Sequence, residues 1–314
     1  MKTAIIAFGG NALSPRGEAG TITQQFAKTR ESLAPIMHFV KHGYKLCITH
    51  GNGPQVGDEL LRMDLTHNTV PPLPLGVCVA GTQGTIGYMI QQSLQNILHQ
   101  NNIDHEVVTI ITQVVVDKDD PAIKNPTKFI GHRYSKSKIT ELSKKFDWEI
   151  AEQNPGKWRR VVPSPLPQYI RHGISIKKLV DHGSIILAAG GGGIPVYYDK
   201  NDNLQGLDAV IDKDYSAALL GRVLKAEELW IITDIDHAYI NYNKPNQEKI
   251  STITSAQAQE YLDAGHFQSG SMKPKIEAGI YFLRHHGKKV VITSIPNIKN
   301  AIDVKSGTII RKYK

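Results

Sequence analysis

Three glycine-rich stretches each follow a short apolar run. They are GGN beginning at Gly9, HGNGPQVG beginning at His50 and GGGG beginning at Gly190. Glycine leaves backbone N–H groups uncovered, and several such groups together can hold an anion such as phosphate. One such loop is equally consistent with a tight turn between a strand and a helix, but three in one chain favour a site for more than one phosphate. The sequence contains no G-x-x-x-x-G-K-[ST] motif, and GNGPQVG lacks the spacing of the dinucleotide fingerprint.

Three lysines lie among turn-forming or small residues and suit the same chemistry. They are Lys128, Lys213 and Lys275. Phosphoryl transfer requires mainly positioning and positive charge around a trianionic group, although any single lysine is more commonly a surface residue. Lys213 is flanked by Asp212 and Asp214, which could orient the lysine, hold a metal ion or simply place negative charge at a helix N-terminus. The pattern predicts an enzyme that handles anions, with Mg²⁺ carried in by a nucleotide.

The elements that position these residues are short apolar runs alternating with helical patterns. The strand candidates are TAIIAF (3–8), YKLCIT (44–49), EVVTIIT (106–112), SIILAA (184–189), LWIIT (229–233), KVVIT (289–293) and GTIIR (307–311). Apolar faces at helical spacing predict helices over 22–42, ended by Gly43, and over 275–286. This alternation predicts an α/β protein with a mostly parallel sheet and helices on both faces. Because parallel strands end at one edge of the sheet, we expect the three glycine loops to meet there.

One region, 117–168, interrupts this alternation. It is dense in proline and charge, and it contains Trp158. A linker would have a similar composition, but the length of the region and its tryptophan favour a small folded excursion that acts as a lid. We therefore expect a single domain over 1–314 with a lid excursion over 117–168.

Composition excludes several classes of protein. The 314 residues are 40% hydrophobic and 21% charged, as in ordinary globular proteins, and no apolar run is long enough to span a bilayer. The net charge of +8 is spread over the chain, without the basic stripe of a nucleic-acid-binding protein. Two cysteines, Cys47 and Cys78, are too few for a disulfide framework or a zinc site. These features predict a cytoplasmic protein that binds neither nucleic acid nor membrane.

Longer blocks of the sequence resemble those of the carbamate kinases, in order and along nearly the whole chain. The blocks are AFGGNAL, THGNGPQVG, QGTIGYMIQQSL, VDKDDPAIKNPTKFIG, WRRVVPSPLP, GGGGIPV, AVIDKD, IITDID and GHFQSGSMKPKIEA. The resemblance implies the three-layer α/β/α sandwich of the wider amino-acid kinase family. It also implies reversible phosphoryl transfer between ATP and carbamate, usually running towards ATP in cells, with Mg²⁺ on the nucleotide and a homodimeric assembly.

The resemblance also implies a role for particular residues. Contacts to the phosphoryl group and carbamate are implied for Gly9, Gly10, Asn11, Gly51, Asn52 and Gly53. Catalytic roles are implied for Lys128, Arg159, Lys213, Asp214 and Lys275. Nucleotide contacts are implied for Gly191, Gly192, Asp212, Asp234, Tyr239, Met272, Pro274 and Lys275. No side chain is implied as a metal ligand; the N-terminal part is expected to hold carbamate or carbamoyl phosphate, and about 184–314 the nucleotide.

The chain departs from the family pattern at a few positions. Ala7 is not one of them, because other amino-acid kinases generally carry a lysine at this place whereas carbamate kinases do not. The lid reads PGKWR (155–159) and TKFIG (127–131) where the family commonly has GRGWR or GRGYR and TKPVG. TQG (82–84) replaces SQG, and GSMKPK (270–275) replaces GSMGPK. The alternatives are a nucleotide-binding paralogue with little turnover and a phosphotransferase with another small acceptor.

Overall fold

The computed structural model describes residues 1–10, 20–267 and 271–313. The strands are β1 (Thr3–Phe8), β2 (Lys45–His50), β3 (Val107–Thr109), β4 (Gln113–Val116), β5 (Lys128–Tyr134), β6 (Ile150–Asn154), β7 (Lys157–Val162), β8 (Pro167–Ile170), β9 (Ile185–Leu187), β10 (Ile194–Tyr198), β11 (Leu204–Gly206), β12 (Glu228–Thr233), β13 (Ala238–Ile240), β14 (Glu248–Ile250), β15 (Thr252–Thr254), β16 (Lys289–Ser294) and β17 (Thr308–Arg311). The α-helices are α1 (Ile22–Leu33), α2 (Met37–Lys41), α3 (Gly53–Thr66), α4 (Leu75–Gln100), α5 (Lys136–Phe146), α6 (Gly173–Asp181), α7 (Lys213–Leu224), α8 (Ser255–Asp263), α9 (Met272–His285) and α10 (Ile298–Ile302).

The central sheet has eight described strands in the order β15-β17-β16-β12-β1-β2-β9-β3. Its neighbouring strands run parallel, except that β16 and β17 are antiparallel. The alternation of a strand places Ile5 and Ala7 of β1 in the core on one face of the sheet and Ile6 and Phe8 in the core on the other. Strands buried on both faces read as continuous apolar runs, so the predicted α/β fold with helices on both faces is confirmed.

Several of the predicted elements are shorter or differently bounded. The predicted helix over 22–42 is wrong as one continuous α-helix. It is interrupted by a 3₁₀ turn at Ala34–Ile36, because Pro35 has no N–H to continue the α-helical bonding. The predicted strand over 106–112 is limited to β3.

Smaller sheets flank the central one. A four-stranded sheet has the order β11-β10-β4-β8, and β13 pairs with β14 as a ribbon. Within the expected excursion, β5, β7 and β6 form a three-stranded antiparallel sheet that packs with α5. We call this part, residues 128–162, the lid unit. Among the described helices, none has the length and apolar character that crossing a membrane requires.

Candidate active site

The first two glycine loops meet where β1 and β2 end. The N–H of Gly9 donates to the carbonyl of Ile232 on β12 (2.9 Å), and the N–H of Gly51 donates to the carbonyl of Phe8 on β1 (2.9 Å). A Cβ added at Gly51 would lie 2.9 Å from the backbone nitrogen of Gly10, which is closer than a side chain tolerates. Glycine at position 51 therefore allows the two loops to touch.

The other residues of the expected phosphoryl site lie at the start of α3. Gly53 is the first residue of this helix and Pro54 the second, so the helix N-terminus, which attracts anions, lies at this loop. Asn52 is buried, and its Nδ2 donates to Oγ1 of Thr82 on α4 (2.9 Å). Asn11 lies outside the described residues. Direct contacts of these residues with substrate stay predictions.

The third glycine stretch forms a buried turn against the second. A Cβ at Gly190 would lie 2.4 Å from Nε2 of His50, and a Cβ at Gly191 would lie 2.3 Å from Nδ2 of Asn52. Gly191 and Gly192 also have positive φ angles of 65° and 94°. These glycines are required for close packing and for backbone conformation, and their expected contact with a nucleotide stays a prediction.

A buried lysine–aspartate cluster lies beside the glycine loops. Lys213 is the first residue of α7, and its Cδ would be 3.5 Å from a Cβ at Gly51. One carboxylate oxygen of Asp214 accepts a hydrogen bond from Lys213, and the other accepts from Lys275 (3.0 Å). Lys213 is 8% exposed and Asp214 is 2% exposed, so the cluster holds two positive charges around one negative charge with little solvent.

Burial and charge shift the pKa values of this cluster in different directions. Burial lowers the pKa of Lys213, and the attraction of Asp214 only partly offsets that effect. Burial also opposes the charged form of Lys275, but Asp214 and Asp212 outweigh it and raise the pKa of Lys275. Burial would raise the pKa of Asp214, yet the two lysines hold it well below its usual range. The cluster thus combines a firmly ionised carboxylate with one lysine that loses its proton more easily than usual.

The third predicted lysine reaches the same helix from the lid unit. Lys128 is the first residue of β5, and its ammonium group donates to Oδ2 of Asp212. Asp212 caps α7, and its Oδ1 accepts the N–H of Asp214 (2.8 Å). Burial alone would raise the pKa of Asp212, but the charge of Lys128 contributes to lowering it, and the net pKa is below its usual value. The structure therefore brings Lys128, Lys213 and Lys275 together around two aspartates.

Arg159 lies on β7 with its guanidinium directed to the lid unit itself. It donates to the carbonyls of Ile130 (3.3 Å) and Gly131 (2.7 Å), and to Oε1 of Gln153 (3.4 Å). Burial and the nearby charge of Arg133 lower the pKa of Arg159 to about 10. In this arrangement Arg159 stabilises the strand that carries Lys128, and its contact with substrate stays a prediction.

The residues expected at the nucleotide lie around the start of α9 and the end of β12. Asp234 follows β12, and its charge contributes to raising the pKa of Lys275. Met272, which is buried, begins α9, and Pro274 lies in the same first turn. The helix thus starts three residues earlier than predicted, so Lys275 lies within the helix rather than at its start. Tyr239 lies on β13 with its ring 5.9 Å from that of Tyr242.

Several buried polar residues beside the site were not predicted from the sequence. His50, Thr49, Gln83 and Thr112 are each at most 2% exposed. Burial lowers the pKa of His50 to about 4, with a smaller contribution from Lys213, so its ring is neutral at neutral pH. The available signal was a polar residue within an otherwise apolar element, such as Gln83 in α4.

The carboxylates nearest to the lysines do not fit a magnesium ion held by the protein alone. Both oxygens of Asp214 accept from lysines, and both oxygens of Asp212 also have hydrogen-bond donors. In residues 1–10, 20–267 and 271–313, no group of three or more His, Cys, Asp or Glu side chains is placed to hold a metal ion.

Comparison with known proteins agrees with this geometry. The amino acid kinase family matches residues 2–294. Carbamate kinase from Pyrococcus horikoshii is 41% identical over 306 residues, covering 97% of each chain. Carbamate kinase 2 from Staphylococcus epidermidis is 42% identical and covers 99% of this chain and 100% of its own.

Solved structures give the same result. Carbamate kinase from Giardia lamblia bound to citric acid superposes with a TM-score of 0.94 at 38% identity, covering 99% of this chain and 98% of that one. The same enzyme bound to AMP-PNP has a TM-score of 0.89, with the same identity and coverage. The chain therefore belongs to the amino acid kinase family and, within it, to the carbamate kinases.

Proposed function

We propose that the protein catalyses reversible phosphoryl transfer between ATP and carbamate, and that in cells it forms ATP from ADP and carbamoyl phosphate. The observation that carries this proposal is the buried cluster of Lys213, Asp214 and Lys275 beside the contact of two glycine loops. A phosphoryl group in flight spreads negative charge over its oxygens, and fixed positive charges stabilise that state more than the ground state. Direct in-line transfer needs no covalent intermediate with the enzyme.

Each part of the site has a separate task in this reaction. The loops that contain Gly9, Gly10, Gly51 and Gly53 surround the phosphoryl group. Because the N–H groups of Gly9 and Gly51 are bonded to backbone carbonyls, we assign the contact to the N–H groups of Gly10 and Gly53, and the N-terminus of α3 adds a favourable dipole. Lys213 and Lys275 neutralise charge on the phosphoryl group as it moves.

Asp214 keeps both lysines in place and favours their charged forms. Because its carboxylate is bonded on both oxygens, the two ammonium groups are oriented before substrate arrives. Such preorganisation avoids rearranging charges during the reaction itself.

Lys128 and Arg159 act from the lid unit. Lys128 exchanges Asp212 for the phosphate of carbamoyl phosphate, which is an anion of higher charge. Arg159 supports the backbone beside Lys128 through Ile130 and Gly131, and it assists binding of the same substrate.

The nucleotide occupies the side formed by the later part of the chain. We place Gly191, Gly192 and Asp212 towards its phosphates, and Asp234, Tyr239, Met272 and Pro274 around the rest of the molecule. The Giardia enzyme bound to AMP-PNP supports a nucleotide site in this fold. We propose that Mg²⁺ arrives on the phosphates of ADP or ATP, since the carboxylates of Asp212 and Asp214 are already bonded to lysines and backbone.

We further propose that the protein is a cytoplasmic homodimer that associates through α4. This 26-residue helix contains no Asp, Glu, Lys or Arg, and Tyr88 on its outer face is 58% exposed. A Cβ at Gly81 or Gly84 would meet nothing within 4 Å, which leaves room for a second helix to approach. A Gly84→Glu variant should run as a monomer in light scattering, whereas the parent has twice that mass; a parent of single-chain mass would contradict the dimer.

The test of function is ATP formation from ADP, Mg²⁺ and carbamoyl phosphate by the purified chain. We expect ATP at a rate that depends on enzyme concentration, and no ATP when carbamoyl phosphate is omitted. A protein that binds ADP and forms no ATP would contradict the proposed function and favour the paralogue with little turnover.

A further inference from the structure

Gln83 on α4 connects two backbone segments below the site. Its side chain is 1% exposed. Its Nε2 donates to the carbonyls of Gly190 (2.9 Å) and Thr112 (3.2 Å), and its Oε1 accepts the N–H of Thr112 (2.8 Å). A single amide therefore ties the glycine turn that begins at Gly190 to the segment that precedes β4.

Two buried hydroxyl groups hold the residue before this turn. Ala189 has a φ of 51°, a left-handed conformation that is unfavourable for a residue with a Cβ. Its N–H donates to Oγ1 of Thr112 (3.0 Å), and its carbonyl accepts from Oγ1 of Thr49 (2.8 Å). The surrounding polar groups thus maintain a strained backbone, which is typical of functional sites.

The turn lies between the loop 50–53 and the start of α7. On one side, Gly190 packs against the ring of His50 and Gly191 against the amide of Asn52. On the other side, a Cβ at Gly192 would lie 2.2 Å from the carbonyl of Ile211, and the carbonyl of Gly192 accepts from Oγ of Ser216 (2.6 Å). The turn is therefore a spacer between the loop 50–53 and the start of α7, where Lys213 lies.

We propose that Gln83 is a positioning residue for phosphoryl transfer. By fixing the turn 189–193, it sets the separation between the phosphoryl-binding loop 50–53 and Lys213. The side-chain amide of Gln83 bonds to backbone groups of Gly190 and Thr112, so its effect reaches the reaction through the turn. The inference rests on the proposed function, because it assigns a distance that matters only when a phosphoryl group occupies that space. Small displacements at such a distance affect the rate more than binding.

The first test replaces the amide by an apolar side chain of similar length, in Gln83→Met. We expect kcat for ATP formation to fall roughly 10- to 100-fold, with KM for ADP and carbamoyl phosphate within about threefold of the parent. Gln257→Met is the control, since Gln257 also binds backbone, through the N–H of Thr254 (3.0 Å), but in the cap of α8. The control should retain the parent kcat.

Thr112→Val provides a second variant if Gln83→Met fails to fold. It removes the hydroxyl that holds Ala189 and keeps the shape of the side chain. We expect a decrease of kcat in the same direction. Variants that fold, as judged by thermal unfolding, and keep kcat within about twofold of the parent would overturn the inference. The inference would also be overturned if the activity fell only in proportion to the fraction of protein that is unfolded.

Gln83→Glu gives a readout that a purely structural role would not move. Burial raises the pKa of a carboxyl group, so the introduced glutamate is protonated at a higher pH than an exposed one. In its protonated form it has an O–H that can donate to the carbonyl of Gly190. His50, whose ring contacts Gly190, has a pKa of about 4 and stays neutral near neutral pH, so it does not mask the effect. We expect kcat relative to the parent to rise as pH falls; a ratio independent of pH overturns the inference. A parent that forms no ATP would instead contradict the proposed function.

Discussion

The positive charges of the site are held in two different ways, one beside the central sheet and the other in the lid unit. Beside the central sheet, Lys213 and Lys275 share the carboxylate of Asp214. Lys213 and Asp214 begin α7, and Lys275 is the fourth residue of α9. In the lid unit, Lys128 makes one ion pair with Asp212, and its side chain is 27% exposed. The first arrangement is buried between two helices, whereas the second is a contact between the lid unit and the start of α7.

The lid unit is attached to the domain mainly through α3. Oδ2 of Asp64 on α3 accepts hydrogen bonds from Nε1 of Trp148 (2.8 Å) and from Nη1 of Arg160 (2.9 Å). Nε2 of His132 lies 2.7 Å from Oδ1 of Asp58, also on α3. Because α3 begins at Gly53, the lid unit and the loop 50–53 are connected without passing through α7. We therefore expect a substrate anion to replace Asp212 as the partner of Lys128 while the remaining attachments persist.

This difference assigns different kinetic roles to the lysines. Charges fixed in the core are ready for the transition state and should affect kcat. A charge that must exchange a carboxylate for the substrate should affect the affinity for that substrate. The predictions below test this division, beginning with the largest expected effect.

Lys213→Ala should lower kcat for ATP formation by about a thousandfold, because it removes a buried charge from the path of the phosphoryl group. KM for either substrate should change much less. Steady-state kinetics with both substrates varied provide the measurement, and Lys225→Ala, at the opposite end of α7, is the control. A larger loss from Lys128→Ala than from Lys213→Ala would reverse the comparison.

Asp214→Asn should lower kcat by about a hundredfold and the free energy of unfolding by about 3–5 kcal/mol, because two lysines lose their shared counter-charge in a buried place. The pKa of Asp214 is lower in the folded protein than in the unfolded chain. Its stabilisation is therefore complete above the unfolded pKa of about 3.9 and is lost as pH falls through the folded pKa.

The check on Asp214→Asn is denaturant unfolding near neutral pH. Asp181→Asn removes the partner of Lys177 in an exposed pair and should cost less than about 1 kcal/mol. Equal costs for the two substitutions would show that the buried cluster is not exceptional.

The sequence predicts the central sheet better than the smaller ones. All seven strand candidates correspond to strands of the eight-stranded sheet, because long apolar runs show up clearly in a sequence. The remaining strand of that sheet, β15, is only three residues long, and the strands of the lid unit are half-exposed and charged. The start of α9 was missed because Pro274 resembles a helix breaker, although proline is tolerated within a first turn.

The site is predictable in its ingredients and less so in its connections. Glycines at strand ends indicate a shared edge, and a lysine between two aspartates is conspicuous in any sequence. The pairs of Lys275 with Asp214 and of Lys128 with Asp212 join residues 61 and 84 positions apart, and no local pattern specifies them. The bonds of Gln83 depend in the same way on how α4 packs against the glycine turn.

Lys128→Ala should raise KM for carbamoyl phosphate by about tenfold and leave KM for ADP nearly unchanged, since a partly exposed charge contributes moderately to anion binding. Lys157→Ala, an exposed lysine of the same lid unit, is the matched control and should leave both constants unchanged. If Lys128→Ala lowers kcat as strongly as Lys213→Ala does, the lid lysine would belong to the chemistry rather than to binding.

The smallest effect is a shift in the alkaline limb of the pH profile. Because burial lowers the pKa of Lys213 while its neighbours raise that of Lys275, Lys213 is the first of the two to lose its charge as pH rises. The plot of kcat against pH should therefore fall below the usual lysine pKa of about 10.4. In Lys213→Arg the guanidinium stays charged, so the residual activity should persist to higher pH. If kcat falls at the same alkaline pH in the parent and in the variant, the titration belongs to another group. The division between the two lysines bonded to Asp214 would then lose its support.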